Sequence, residues 1–141
     1  MDGYWAKQTD YGPDCYVTNI EKMAIQNQNF RTALWTGCYL QMTLMCIPPC
    51  EDIGLEMHSE LDQFIRIEHG KAMVKMGTCK NELNFQRILC RADGIFIPAG
   101  TWHNIINIGR NPLKVSAIYA PPNHPRGTIH GTKADVKKEE C

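Results

Sequence analysis

Polar and apolar residues alternate with a period of two through most of the middle of the chain. In residues 40–47 the even positions Leu40, Met42, Leu44 and Cys46 form one apolar face, with Gln41 and Thr43 opposite. In 113–119 the odd positions Leu113, Val115, Ala117 and Tyr119 do the same, while Lys114 and Ser116 point the other way. Successive side chains of a strand leave opposite faces, so each stretch predicts a strand with one face on a core. Phe64–Glu68 and Ala72–Met76 flank His69-Gly70-Lys71, which predicts a hairpin. Ile95-Phe96-Ile97 runs into the turn Pro98-Ala99-Gly100, His103–Ile108 leaves it, and Gly109-Arg110-Asn111-Pro112 turns the chain again. Short apolar runs broken this often by Gly, Pro and Asn predict an all-β domain, a closed barrel or a two-sheet sandwich.

The flanks read differently. Residues 1–30 form an N-terminal arm: 1–18 are polar and aromatic with Gly12-Pro13 breaking any regular element, and 19–29 suit either a turn of helix or a strand and loop. Residues 31–121 carry the β-barrel. Residues 122–141 are a C-terminal extension whose charged end, Lys133–Cys141, is expected to be solvated or frayed.

Composition narrows the partners. The 141 residues suffice for one domain, and 43% hydrophobic content suffices for its core. Fifteen basic residues balance fifteen acidic ones, which gives no reason to expect nucleic acid or an anionic membrane as partner. Met1–Lys7 has neither the basic start nor the apolar stretch of a signal peptide, and no run is long enough to span a bilayer, so the cytoplasm is the expected compartment. Seven cysteines, odd in number and without a CxxC pair, read as small hydrophobes or free thiols.

Two segments concentrate ligand-type residues. Glu56 and His58, two apart in Gly54–Phe64, leave the same face of a strand, so a carboxylate oxygen and an imidazole nitrogen can converge on one ion. In Pro98–Asn107, a tight Pro-x-Gly turn delivers His103 at the start of the next strand. Either segment alone is more often a solvated face or a satisfied core histidine; together they point to a metal site.

The pair resembles the two motifs of the cupin family. Pro98, Gly100, His103 and Asn107 match the second motif in register. In the first, His58 takes the second histidine position, Gly70 the closing glycine, Gln63 stands where a glutamate is expected, and Glu56 replaces the first histidine. Cys50 and Ala92 stand where each motif opens with glycine. The resemblance is to small single-domain bacterial cupins labelled mannose-6-phosphate isomerase-like, and extends to the tail Tyr119–Pro125. It implies a double-stranded β-helix, or jelly-roll barrel, holding one divalent metal ion through Glu56, His58, Gln63 and His103.

The family spacing also admits Asp62 as the third ligand. An inward Gln63 puts Ile65 and Ile67 inside and Phe64, Arg66 and Glu68 outside, whereas an inward Asp62 draws Arg66 and Glu68 unpaired into the core, so strand parity favours Gln63. Two histidines, a carboxylate and an amide suit Zn, Mn, Fe or Ni. With Gln63 neutral the site keeps about one positive charge, which favours a small anionic or hydroxyl-bearing ligand.

A metal-dependent enzyme of sugar-isomerase-like type fits this set; a non-haem iron dioxygenase, or a non-catalytic small-ligand-binding cupin, are the alternatives. Tyr119 lines the barrel and is the candidate proton donor. Trp102, Asn104 and Asn107 read as turn or packing residues, and His124 and His130 as surface histidines. The pattern places no arginine or lysine in the pocket. Tyr4, Trp5, Tyr11 and Tyr16 suit an arm that crosses onto a second copy, which predicts a homodimer.

Overall fold

The fold is that of a computed structural model, which describes residues 10–140, with side chains as far as Val136. Tyr4 and Trp5 lie outside the described residues; Tyr11 and Tyr16 stack on each other with ring centroids 4.3 Å apart. The elements in order are α1 (Ile20–Gln26), β1 (Arg31–Thr36), β2 (Gln41–Ile47), β3 (Asp62–His69), β4 (Ala72–Gly77), β5 (Phe85–Leu89), β6 (Gly94–Ile97), β7 (Trp102–Asn107), β8 (Leu113–Ala120), β9 (Ile129–His130) and α2 (Lys133–Glu140). Six strands form one sheet in the order β6-β3-β8-β2-β1-β9, and three form the other in the order β5-β4-β7. All named pairs are antiparallel. The two sheets face each other across one core that includes Ile47, Ile65, Ile67, Val74, Ile95, Ile97, Ile105, Leu113 and Val115. This is the expected all-β jelly roll. No helix among the described residues is long and apolar enough to cross a membrane.

Of segment 19–29, Ile20–Gln26 form a helix. The Asn19 carboxamide oxygen caps α1 by accepting from the Lys22 amide at 2.9 Å, which satisfies a donor that the first turn leaves open. Ala24 of α1 then packs with Leu34 and Leu44 on the outer face of the large sheet. That second, smaller core explains the even apolar face of β2. It lies under α1, and the barrel-facing side of β2 is the odd set Gln41, Thr43, Met45 and Ile47, all buried. Two polar residues that alternate with an apolar face are therefore interior.

Three expectations need correction. Strands β3 and β4 do not form a hairpin, because β3 pairs with β6 and β8 while β4 pairs with β5 and β7. His69-Gly70-Lys71 instead carries the chain from one sheet to the other. Gly70 turns there with φ +107°, and a Cβ would come within 3.2 Å of Leu113. Glu68 does not face solvent. A bulge against β8 at this point buries it on the outer face of the sheet, where it accepts from the Ser116 hydroxyl at 2.7 Å and lies 3.6 Å from Arg66. The charged tail is also ordered in part: Lys133 starts α2 and pairs with Asp52, and Val136 packs on the main core.

Cys50 and Ala92, in place of the motif glycines, adopt φ +69° and +77°. The left-handed turn that glycine makes freely is thus retained here by two residues with a Cβ, at about 1–2 kcal/mol each. Among the described residues the cysteines are unpaired, and all but the half-buried Cys46 are exposed, so they are free thiols rather than core hydrophobes.

Candidate metal centre

Residues 52–58 run beside β7 as an irregular extra strand. Glu56 and His103 exchange both backbone hydrogen bonds, at 3.0 and 2.9 Å, so their side chains leave the same face. His58 follows on that face, and its carbonyl accepts from the Gly100 amide at 2.7 Å, tying the strand to the Pro98-Ala99-Gly100 turn. Gly100 makes that turn with φ +83°. The two ligand-bearing segments, far apart in sequence, therefore meet through one bridged pair.

Glu56, His58 and His103 offer ligand atoms that all lie within 4.8 Å of one another. One Glu56 oxygen is 3.4 Å from His58 Nε2 and 3.9 Å from His103 Nε2. Gln63 enters from the other sheet. It is buried, whereas Asp62 is exposed and accepts from the Ala99 amide at 2.9 Å. The inward position on β3 thus belongs to Gln63.

His58 Nε2, His103 Nε2 and Gln63 Oε1 are all buried without a hydrogen-bond partner. Buried polar atoms are almost always paired, so three unpaired ones beside a carboxylate need a common partner. His103 Nδ1 lies 3.1 Å from the Thr101 carbonyl, and a carbonyl can only accept. The proton is therefore on Nδ1, which leaves the Nε2 lone pair free for a cation. The donor set fits a divalent metal.

Electrostatics agree. Burial alone would raise the Glu56 carboxyl, but the His58 ring beside it and the charge of Arg31, with lesser help from His103, bring it below the usual carboxylate value. Burial holds His103 below the usual histidine value, despite the Thr101 carbonyl and Glu56. One ionised carboxylate and neutral imidazole are the protonation states that metal ligation requires.

A family model described as a cupin domain matches residues 43–119. The chain is a cupin. It is 57% identical over 131 residues to the uncharacterized protein YrkC of Bacillus subtilis, covering 93% of this chain and 70% of that one. It is 40% identical over 115 residues to the uncharacterized protein L612 of Acanthamoeba polyphaga mimivirus, covering 81% of this chain and 70% of that one. The crystal structure of BH2720 from Bacillus halodurans superposes with a TM-score of 0.91 at 53% identity, covering 92% of this chain and 98% of that one. KdgF from Halomonas shares the fold, with a TM-score of 0.58 at 17% identity over 66% of this cupin and 80% of that chain.

The cupin's remaining pocket residues extend the centre into a row. His58 stands edge-on to Tyr119 at 6.0 Å, Tyr119 to His124 at 5.3 Å, and His124 to His130 at 6.1 Å. His130 is therefore not a surface residue, since β9 pairs it with Arg31 and it is buried, and His124 is half-buried beside it. Gln41 holds the segment that brings His124 in. Its amide nitrogen donates to the His124 carbonyl at 2.9 Å, and its oxygen accepts from the Asn123 and His124 amides at 3.1 and 3.0 Å. Sequence reasoning missed Gln41, Thr43 and Arg31. The signal available was register, since Gln41 stands opposite Tyr119 on β8, as does Gln63 on the other side.

Burial raises the Tyr119 phenol above its usual value, with Arg31 opposing and Glu56 adding, so it stays protonated. Burial and the Arg31 charge push His124 down to about 3. In chelator-treated protein this makes acid destabilising. The unfolded chain protonates His124 as pH falls through 6.5, while the folded chain keeps it neutral down to about 3. The stability is full above pH 6.5 and is lost progressively as pH falls toward 3. His124→Gln should remove about 2 kcal/mol of the pH dependence between pH 6.5 and about 5, measured by urea unfolding. Identical slopes in the two proteins count against a neutral, buried His124.

Proposed function

We propose that this cupin holds one divalent metal ion through Glu56, His58, Gln63 and His103, and that it is a metal-dependent enzyme of isomerase type acting on a small hydroxylated or anionic molecule. The observation that carries the reading is the trio of buried, unpartnered acceptor atoms on His58, His103 and Gln63. When bound, the ion supplies Lewis acidity to a carbonyl or hydroxyl oxygen of the ligand. The chain supplies the rest. Tyr119, kept neutral and edge-on to His58, donates a proton or hydrogen bond to a ligand oxygen. The barrel wall of Ile65, Ile97 and Ile105 keeps water from the reacting face.

Elemental analysis of the protein as purified is the first test, followed by screens for aldose–ketose interconversion and for oxygen consumption. Stoichiometric iron with ligand-dependent oxygen uptake turns the reading toward a dioxygenase. Absence of any metal after reconstitution removes it.

Gln63→Glu probes the departure from the usual motif glutamate. A second carboxylate adds about 2 × 332/(εr) of attraction to the dication, roughly 8 kcal/mol at ε near 20 and about 4 Å before desolvation. The net gain should be at least tenfold in affinity for Zn²⁺ or Mn²⁺ by isothermal titration, with weaker binding of any anionic ligand. Unchanged metal affinity would place Gln63 outside the coordination sphere.

A further inference from the structure

Arg31 is the largest side chain that the barrel interior buries without an explanation from the fold. It opens β1 opposite Met45, faces inward and is 2% exposed. Its Nη1 is 3.2 Å from His130 Nδ1, its guanidinium lies 5.4 Å from the Phe30 ring centroid and also meets the Tyr119 phenol, and its Nη2 reaches the Met45 sulfur at 3.9 Å. Its Nε has no partner. Nε and Nη2 carry the two parallel N–H bonds of the guanidinium edge that fits a carboxylate bidentately. That edge is engaged here by a thioether, a weak acceptor. Two positions from Met45 on the same face of β2, the Thr43 hydroxyl is buried beside the Tyr119 phenol. Arg31 and Glu56 line one cavity of about 280 Å³, with Lys133 at its wall.

The charge balance sharpens this. Among the described residues that line the cavity of Arg31, Glu56 is the acidic one. Once Glu56 serves an ion, Arg31 loses that compensation. An ion of charge two and a guanidinium of charge one, set against one carboxylate, leave a buried surplus of about two positive charges. A buried surplus of that size calls for a bound anion.

We infer that Arg31 is the anion-recognising residue of this pocket and that the ligand is a compact carboxylate, gripped by the Nε–Nη2 edge while a neighbouring oxygen faces the ion. The inference rests on the metal reading above and names the ligand class for it. A carboxylate is favoured over a phosphate by the Nε–Nη2 edge, which offers two donors in one plane to a planar group with two oxygens.

The test uses the full chain loaded with Mn²⁺, with metal content determined by elemental analysis before each titration. L-lactate, a monocarboxylate with an adjacent hydroxyl, and inorganic phosphate are titrated separately by calorimetry into wild type and Arg31→Met, whose apolar side chain suits the buried site. The expected result is that wild type binds lactate more tightly than phosphate, and that Arg31→Met keeps stoichiometric manganese yet binds lactate at least tenfold more weakly. Should Arg31→Met fail to fold, the Arg31 Nε–H resonance of wild type loaded with diamagnetic Zn²⁺, assigned with Arg31→Lys, must shift on adding lactate. Equal lactate affinity in the two proteins, loaded wild type that ignores lactate, a preference for phosphate, or an unmoved Nε–H resonance overturns the inference. Wild type that takes up no manganese fails at the elemental analysis, which separates collapse of the metal reading from failure of the Arg31 assignment in loaded protein.

Discussion

Replacing His58 and His103 together with alanine should give a protein that retains its β-sheet circular dichroism and carries no divalent metal. The two imidazoles supply both nitrogen donors of the centre, and Glu56 and Gln63 alone make a weak oxygen pair. In wild type, ligand linkage at a thousandfold excess of metal over Kd contributes about 4 kcal/mol, or roughly 10 °C in Tm for a domain of this size. The double variant should show no such upshift. Its metal-free stability should fall only modestly, since His103 leaves a small cavity while two unpartnered buried nitrogens are removed with the rings. A double variant that still purifies with one metal per chain, or that still gains thermal stability on adding Zn²⁺ or Mn²⁺, removes these histidines from the site.

Asn107→Ala should be the most destabilising polar substitution in the barrel, by about 3 kcal/mol. Asn107 ends β7 facing inward, and its amide nitrogen donates at 2.9 Å to both the Ile47 and Asn111 carbonyls. Its oxygen accepts from the Gly109 amide at 2.8 Å. One side chain thus closes the 108–112 turn and ties it to the end of β2. Alanine leaves a buried Ile47 carbonyl with one partner fewer and frees the turn, while the metal site is untouched. Urea unfolding should show the loss, and metal stoichiometry should not change. A loss below about 1 kcal/mol means that water replaces the amide at this turn.

Asn107 also shows what the sequence could and could not tell. As a motif residue beside His103 it is legible in position, and its reading as a turn residue agrees with the three bonds it makes. Glu56, His58 and His103 were legible because each sits at a fixed step from a turn or a strand partner. Gln63 was legible through parity, since the hydrophobic Ile65 and Ile67 fix which face of β3 is inward. The missed residues share a physical cause. Gln41 and Thr43 are polar on a strand whose opposite face is apolar, and that apolar face belongs to the small core under α1, which no local pattern announces. Arg31 and His130 meet across 99 positions of chain, so their pairing is set by the closure of the sheet. Gly70 reads locally as a hairpin turn; its role as a crossing between sheets depends on Leu113, packed against it from β8. Cys50 and Ala92 hid the start of each motif because the backbone dihedral was kept while the residue type was not.

The pairing of β9 with β1 has a kinetic meaning. It consists of Arg31 opposite His130 and Thr32 opposite Ile129, flanked by the Phe30 and Ala33 amides, which donate to the Gly131 and Thr128 carbonyls, at the edge of the large sheet. A short seam at a sheet edge opens locally at less than the cost of unfolding the domain. Peeling it away would withdraw His130 from Arg31 and loosen the loop that carries His124, exposing the polar side of the barrel without disturbing His58 or His103. Exchange with solvent would then be gated by an outer seam rather than by the metal-bearing wall. Residence time in the pocket and affinity for the ion would be set by different parts of the chain, and substitutions at Thr32 or Ile129 would change how long a guest stays without changing how the centre holds its metal.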